Sequence, residues 1–261
     1  MDEATPKELA QYYRDRVDRE RRIEGDWLKA NKSWIQAAFK QKYMYDFDWL
    51  GRPLIQLPGD LALIQDVVWR AQPTLIIETG VAHGGSLVLS ASLLAMLDYI
   101  DWRMSGRIEA ITESRRRVVG VEIDLRKYNQ QLINDHPMSS KIELIDGGST
   151  DVSTLRAVQD CVLPDDKVLV FLDSWHSKEH VLRELGEYGK FVTSGSFMIA
   201  FDTVVEDFAI GHFDRRPWGE GDGPLTAVDE YLAGSREFAR DDRGNNLAMS
   251  SASRFGVLRK K

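Results

Sequence analysis

From residue 75 onward the chain alternates short, almost unbroken apolar runs with longer amphipathic segments. The runs at 75–79, 118–123, 141–145, 167–173 and 196–201 have strand length, and the segments at 85–97, 125–134, 151–160 and 177–188 carry helical periodicity. This order predicts an α/β domain built on a doubly wound, mostly parallel sheet, with ligands at the carboxyl ends of the strands. Residues 227–261 offer a helix and then one or two strands, the usual place for an antiparallel C-terminal edge. Upstream, from Pro6 to Lys42, apolar residues at Leu9, Tyr12, Tyr13, Val17, Trp27, Trp34, Ile35, Ala38 and Phe39 predict one or two helices with a break at Gly25. Tyr43–Pro58 is aromatic and turn-rich and reads as an ordered loop, after which Asp60 caps a helix through about Gln72. Residues 1–60 are therefore expected to form a helical, aromatic extension at a substrate entrance or an oligomer contact, and residues 61–261 the main domain.

Composition narrows the class. A chain of 261 residues, 43% apolar and 29% charged, buries one substantial core. The net charge of −7 and pI near 5.4 argue against a nucleic-acid groove, and the basic cluster Arg14–Arg22 is interleaved with acids as a solvated helix face. A lone cysteine, Cys161, rules out an internal disulfide and a thiolate metal cluster. The polar start and the lack of any bilayer-length apolar run lead us to expect a soluble cytoplasmic protein without a membrane span. The exposed faces of aromatic N-terminal helices would suit pairing with a second copy.

The glycine-rich turn Gly80-Val81-Ala82-His83-Gly84-Gly85-Ser86 follows the first buried strand, which ends in Glu78-Thr79. Such a turn lets backbone N–H groups approach a ligand, and Glu78 suits a cationic or hydroxyl-bearing ligand better than a phosphate, which points to S-adenosylmethionine. Glu122, at the end of the second strand, is placed to accept both ribose hydroxyl protons of a nucleoside; without the upstream turn it reads more readily as a solvated strand-end carboxylate, and the two together favour the ribose reading. Asp146-Gly147-Gly148-Ser149 ends the third strand, where Ser149 would lie near an adenine, although a simple tight turn explains it almost as well.

Candidate chemistry follows the next two strands. Asp173 and His176 lie three residues apart after the fourth, and Asp202 follows the fifth. Two carboxylates at neighbouring strand ends suit a hard divalent cation, and a nearby His suits proton uptake near neutral pH. Standing alone, each Asp reads more readily as a helix cap than as a ligand. Tyr43, Tyr45, Trp49, Trp175 and Trp218 are aromatic candidates for stacking on a sugar acceptor.

Several segments in order are similar to the cephalosporin hydroxylase (cephem methoxylase) family, which includes rhamnosyl O-methyltransferases. They are Glu78–Ser86, Gly120–Asp124, Leu172–Ser177 with Glu179–Leu182, and Arg216–Gly219 with Gly223-Pro224. The resemblance covers nearly all of the chain after Tyr43. It implies a class I, Rossmann-like methyltransferase using S-adenosylmethionine, with Glu78, Gly80, His83, Gly84, Gly85, Ser86, Glu122, Asp146, Ser149 and Asp173 around the cofactor. Related sugar O-methyltransferases hold magnesium on an Asp after the fourth strand and an acidic pair after the fifth, with a nearby His as base. Carried over, Asp173 and Asp202 are ligands and His176 is the base. The first member of the pair is Phe201 here, so Glu206 or Asp207 is expected to replace it, unless waters do so or the metal is lost. The expected function is methyl transfer to a hydroxyl of a sugar or glycosylated metabolite. The alternatives are an NAD-dependent sugar oxidoreductase, weakened by the lack of G-x-G-x-x-G spacing, and a non-catalytic binding protein.

Overall fold

A computed structural model describes residues 8, 9, 11, 12, 14–16 and 25–261. The expected helix start at Pro6, the positions Tyr13 and Val17, and Arg21 and Arg22 of the basic cluster lie outside the described residues. The first full helix, α1, spans Gly25–Lys40, and a short hairpin follows, with strands β1 (Phe47–Trp49) and β2 (Arg52–Leu54). Here the structure departs from the expected loop. Leu50 and Gly51, both at positive φ (47° and 84°), make the two-residue reversal that matches the twist of paired strands.

Helix α2 (Pro58–Ala71) leads into β3 (Leu75–Thr79), and α3 (Gly85–Ser105) and α4 (Glu109–Thr112) lead into β4 (Arg117–Glu122). Thereafter α5 (Lys127–Asn134), β5 (Ile142–Asp146), α6 (Val152–Cys161), β6 (Val168–Leu172), α7 (Lys178–Tyr188) and β7 (Phe197–Ala200) continue the alternation. The tail adds α8 (Pro224–Gly234), β8 (Phe238–Arg240), α9 (Asp242–Leu247) and β9 (Val257–Lys260). The seven strands run in the order β5-β4-β3-β6-β7-β9-β8, parallel from β5 to β7 and antiparallel around β9. Central strands β3 and β6 are buried at every position, as parallel strands covered by helices on both faces must be. One apolar cluster around Leu63, Leu87, Phe171 and Phe201 fills one side of the sheet, and another around Ile77, Val170, Leu185 and Tyr188 fills the other. A third joins Ile35 and Ala38 of α1 to Val204 and Phe208.

The helix expected at 85–97 runs on to Ser105, where Gly106 (φ 69°) ends it. Asp98, just past the expected end, is buried and held by Arg116 at 2.8 Å and Lys141 at 2.5 Å. Paired on both oxygens, it does not stop the helix. Among the described residues no helix is long and apolar enough to cross a membrane.

Candidate active site

The strand order reverses between β3 and β6, and the crevice at their carboxyl ends is where open α/β sheets bind ligands. Thr79 pairs with Leu172, so Gly80 and Asp173 leave the sheet side by side, and the Asp173 N–H donates to the Thr79 carbonyl at 2.9 Å. Gly80 has φ 84°, and a Cβ there would collide with the Asp173 carbonyl. Gly80→Ala is accordingly expected to lower stability by about 2–5 kcal/mol, combining left-handed strain with overpacking. Urea unfolding measures it; a change within error would show that the turn relaxes freely.

Three side chains fix the glycine turn. Glu122 Oε2 accepts from the Val81 and Ala82 N–H groups at 2.9 and 3.0 Å. Arg52, from the unforeseen hairpin, donates to the His83 carbonyl and to Asn129 Oδ1, and Asn129 Nδ2 donates to the Ala82 carbonyl at 2.9 Å. Gly80, His83, Gly85, Ser86 and Glu122 line the cleft, whereas Gly84 lies behind it, its missing Cβ facing Ile133.

Glu78 is only 2% exposed and does not line the cleft. Ser86 donates to its Oε1, while its Oε2 is buried without a partner. Burial raises its pKa to about 7, against the opposing hydrogen bonds of Ser86 and Ser90. Asp146 is exposed and outside the cleft lining, at the end of the edge strand β5. Ser149 does line the cleft, and its Oγ sits 3.1 Å from His180 Nε2. The same nitrogen lies 3.0 Å from Ser174 Oγ, which donates to fully buried Glu184 at 2.7 Å. His180 and Glu184 are one helical turn apart on α7, a spacing that sequence reasoning passed over.

Asp173, His176 and Asp202 form a cluster whose ligating atoms all lie within 4.8 Å of one another. Neither Asp makes a side-chain cap: Ser177 occupies the N-cap position of α7, and Asp202 (φ 53°) precedes a short 3₁₀ turn without capping it. Asp202 Oδ2 is 2.9 Å from His176 Nε2, and the His176 ring packs edge-on against Trp218 at 5.0 Å. Gln56, which the sequence did not single out, donates to Asp173 Oδ2 at 2.9 Å. Burial holds the Asp173 carboxyl well above the usual range, and the negative charges of Asp202, Glu78 and Asp60 push it the same way. Phe201 is buried in the core with its ring 5.8 Å from Phe171. The structure does not bring Glu206 to this group: its carboxylate receives the Thr226 N–H and hydroxyl at 2.7 and 2.5 Å, at the start of α8. Asp207 is likewise engaged, by Arg254 at 2.6 Å and Lys32 at 3.1 Å.

The glycine turn and the Asp173–His176–Asp202 cluster open on one cleft of ≈ 790 Å³, whose apolar lining includes Phe39, Met44, Tyr45, Ile55, Phe213 and Trp218. Rhamnosyl O-methyltransferases of Mycobacterium bovis and Mycobacterium tuberculosis are 25% identical to the chain over 241 residues, covering 89% of it and 82% of each relative. An apo structure of CmcI superposes with a TM-score of 0.53 at 21% identity, over 83% of this chain and 76% of that one. A Mg-SAM structure of CmcI gives 0.53 at 20% identity, over 83% and 77%, and both comparisons bear on the fold alone. Residues 41–261 match the family model described as rhamnosyl O-methyltransferase/CmcI, and the chain belongs to that family.

Proposed function

We propose that this S-adenosylmethionine-dependent O-methyltransferase acts on a hydroxyl of a sugar or glycosylated metabolite, with His176 as proton acceptor and a magnesium ion on Asp173 and Asp202. The observation that carries the reading is the Asp173–His176–Asp202 cluster beside the glycine turn. Two facing carboxylates suit a hard divalent cation and leave the imidazole to take up a proton, and a desolvated carboxylate facing other acids is short of positive charge. On the donor side, Glu78 lies just outside the cleft lining, bonded to Ser86, which does line it, and its unpartnered Oε2 would accept from a donor ammonium. The cleft volume suits a nucleoside together with a sugar ring. The loop spacing gives the NAD reading no support.

When bound, the sulfonium supplies an electrophilic methyl carbon and the cation supplies charge that acidifies the acceptor hydroxyl. Glu122 accepts the ribose hydroxyl protons while its Oε2 steadies the glycine turn. With the Nε2 proton shared with Asp202, His176 Nδ1 is left to take the hydroxyl proton, and the Asp202 carboxylate stabilises the imidazolium that results. Trp218 holds the ring at its working angle, and the apolar wall keeps water from competing as acceptor.

Glu78 sets a pH dependence. Its folded pKa of about 7 lies above its unfolded value, so the empty fold is more stable with the proton on, and that stability is lost as pH rises toward and through 7. An ammonium ligand prefers the ionised form. Donor affinity is therefore expected to rise by up to about tenfold per pH unit between about pH 5.5 and 7, and to be weaker and flat in Glu78→Gln. Calorimetry across that range measures it; a flat wild-type profile would separate Glu78 from donor binding.

The test of the whole reading is mass spectrometry of nucleotide sugars and glycolipid fragments incubated with the enzyme and donor. A product heavier by one methyl group is expected, lost on chelation and restored by magnesium. Failure of S-adenosylmethionine to bind in a calorimetric titration overturns it.

A further inference from the structure

The cleft has a charged end that proton transfer does not use. Lys42 and Arg216 line it, and among the described residues neither side chain is joined to a carboxylate. In a chain with net charge −7, unpaired cations at the mouth of a binding cleft are a distinctive feature. Arg216 rests against two indoles: its guanidinium carbon lies 4.9 Å from the Trp175 ring centre and 5.1 Å from that of Trp218. The two indoles meet edge to face at 4.9 Å and form a corner for it. Neither ring takes up a conventional hydrogen bond, so the guanidinium N–H donors are left for a ligand. Lys42 lines the same cleft. Phe39 touches Phe213 with ring centres 6.0 Å apart, and Lys42 and Arg216 follow those two rings by one short turn of chain each.

Trp218 touches both Arg216 and His176, so whatever the guanidinium binds lies within one sugar unit of the proton acceptor. We infer that the acceptor is an anionic sugar, whose carboxylate or phosphate is bound by Arg216 with Lys42 while its ring packs on the Trp175–Trp218 corner. This rests on the methyltransferase reading, since it names the acceptor class of that same site. A planar guanidinium forms paired, charge-assisted hydrogen bonds with either group, and the apolar wall beside it strengthens them by excluding water.

The test titrates the full-length ¹⁵N-labelled chain at low salt with glucuronic acid, glucose 1-phosphate and glucose, following the Trp175 and Trp218 indole N–H resonances. At least one anionic sugar is expected to bind about tenfold or more tighter than glucose, with the preference shrinking as salt is added. A preference for glucuronic acid identifies a carboxylate acceptor, and one for glucose 1-phosphate a phosphate. Arg216→Gln should bring the preferred anion down to the affinity of glucose, and Lys42→Gln, a change on an exposed side chain, should lower it in part. Equal binding of all three sugars, absence of any anion-dependent shift at the indoles, or a preference that survives in Arg216→Gln overturns the inference. Should Arg216→Gln fail to fold, the wild-type comparison and Lys42→Gln still decide it. A parallel titration with S-adenosylmethionine separates the two levels: donor binding without anion preference sinks only the acceptor class, and absent donor binding sinks the methyltransferase reading.

Discussion

His176→Ala is expected to slow methyl transfer by about 10²–10⁴-fold near neutral pH while leaving donor affinity within about twofold. The expectation follows from how the ring is held. Asp202 at 2.9 Å engages one nitrogen and Trp218 packs on the ring at 5.0 Å, which leaves the second nitrogen for the proposed proton uptake. The proposed donor contacts come instead from the glycine turn, Glu122 and Glu78, and none of the hydrogen bonds that hold these involves His176. Alanine removes the acceptor without touching them. Hydroxide replaces the missing base as pH rises, so the variant's rate should climb with pH where the wild-type rate has levelled. Single-turnover assays with labelled donor, together with calorimetry, separate the effects. Undiminished turnover would take His176 out of the chemistry, and lost donor binding would make its role structural.

The parts of this site that the sequence disclosed are those carried by strand ends. Continuous apolar runs located β3, β4, β6 and β7, and the residues just past them, Gly80, Glu122, Asp173 and Asp202, line the cleft. Residues that act across the fold were not legible. Gln56 meets Asp173 from 117 positions away, and Arg52 reaches the glycine turn from a hairpin whose Leu50-Gly51 reversal lacks the usual Asn-Gly or Asp-Gly marking. Position in the sheet explains Asp146: β5 is an edge strand, away from the β3/β6 crevice, and a strand's place in the sheet order is not written in its apolar run. Glu206 shows a different limit. An acid in the right loop is indistinguishable in sequence from one that caps the next helix, and here both its oxygens serve Thr226. The His180–Glu184 pair was visible as a one-turn spacing, but only the fold shows it wedged between Ser149 and Ser174.

Asp173→Asn should move activity and stability in opposite directions. Methyl transfer is expected to fall by about 10³-fold or more, because the amide gives up the charge that would hold a cation against the acceptor hydroxyl. The empty fold should become more stable at neutral pH. Asp173 is held well above the ordinary carboxylate range by burial and by Asp202, Glu78 and Asp60, so the folded chain keeps a proton that the unfolded chain releases near pH 4. Stability from this group is present at low pH and is lost as pH rises through its folded pKa, and a neutral amide abolishes that loss. Gln56 can turn its amide oxygen toward the new amide hydrogens, so no buried donor is stranded. Magnesium distinguishes this account from simple relief of repulsion. It should raise the thermal midpoint of the wild type, where it offsets the facing carboxylates, and leave that of Asp173→Asn unmoved. A wild-type midpoint indifferent to magnesium, in an enzyme that chelation does not inhibit, would remove the cation from this site. Asp173 would then act through Gln56 and the acceptor hydroxyl alone, with Phe201 marking where a third oxygen ligand had been given up to the core.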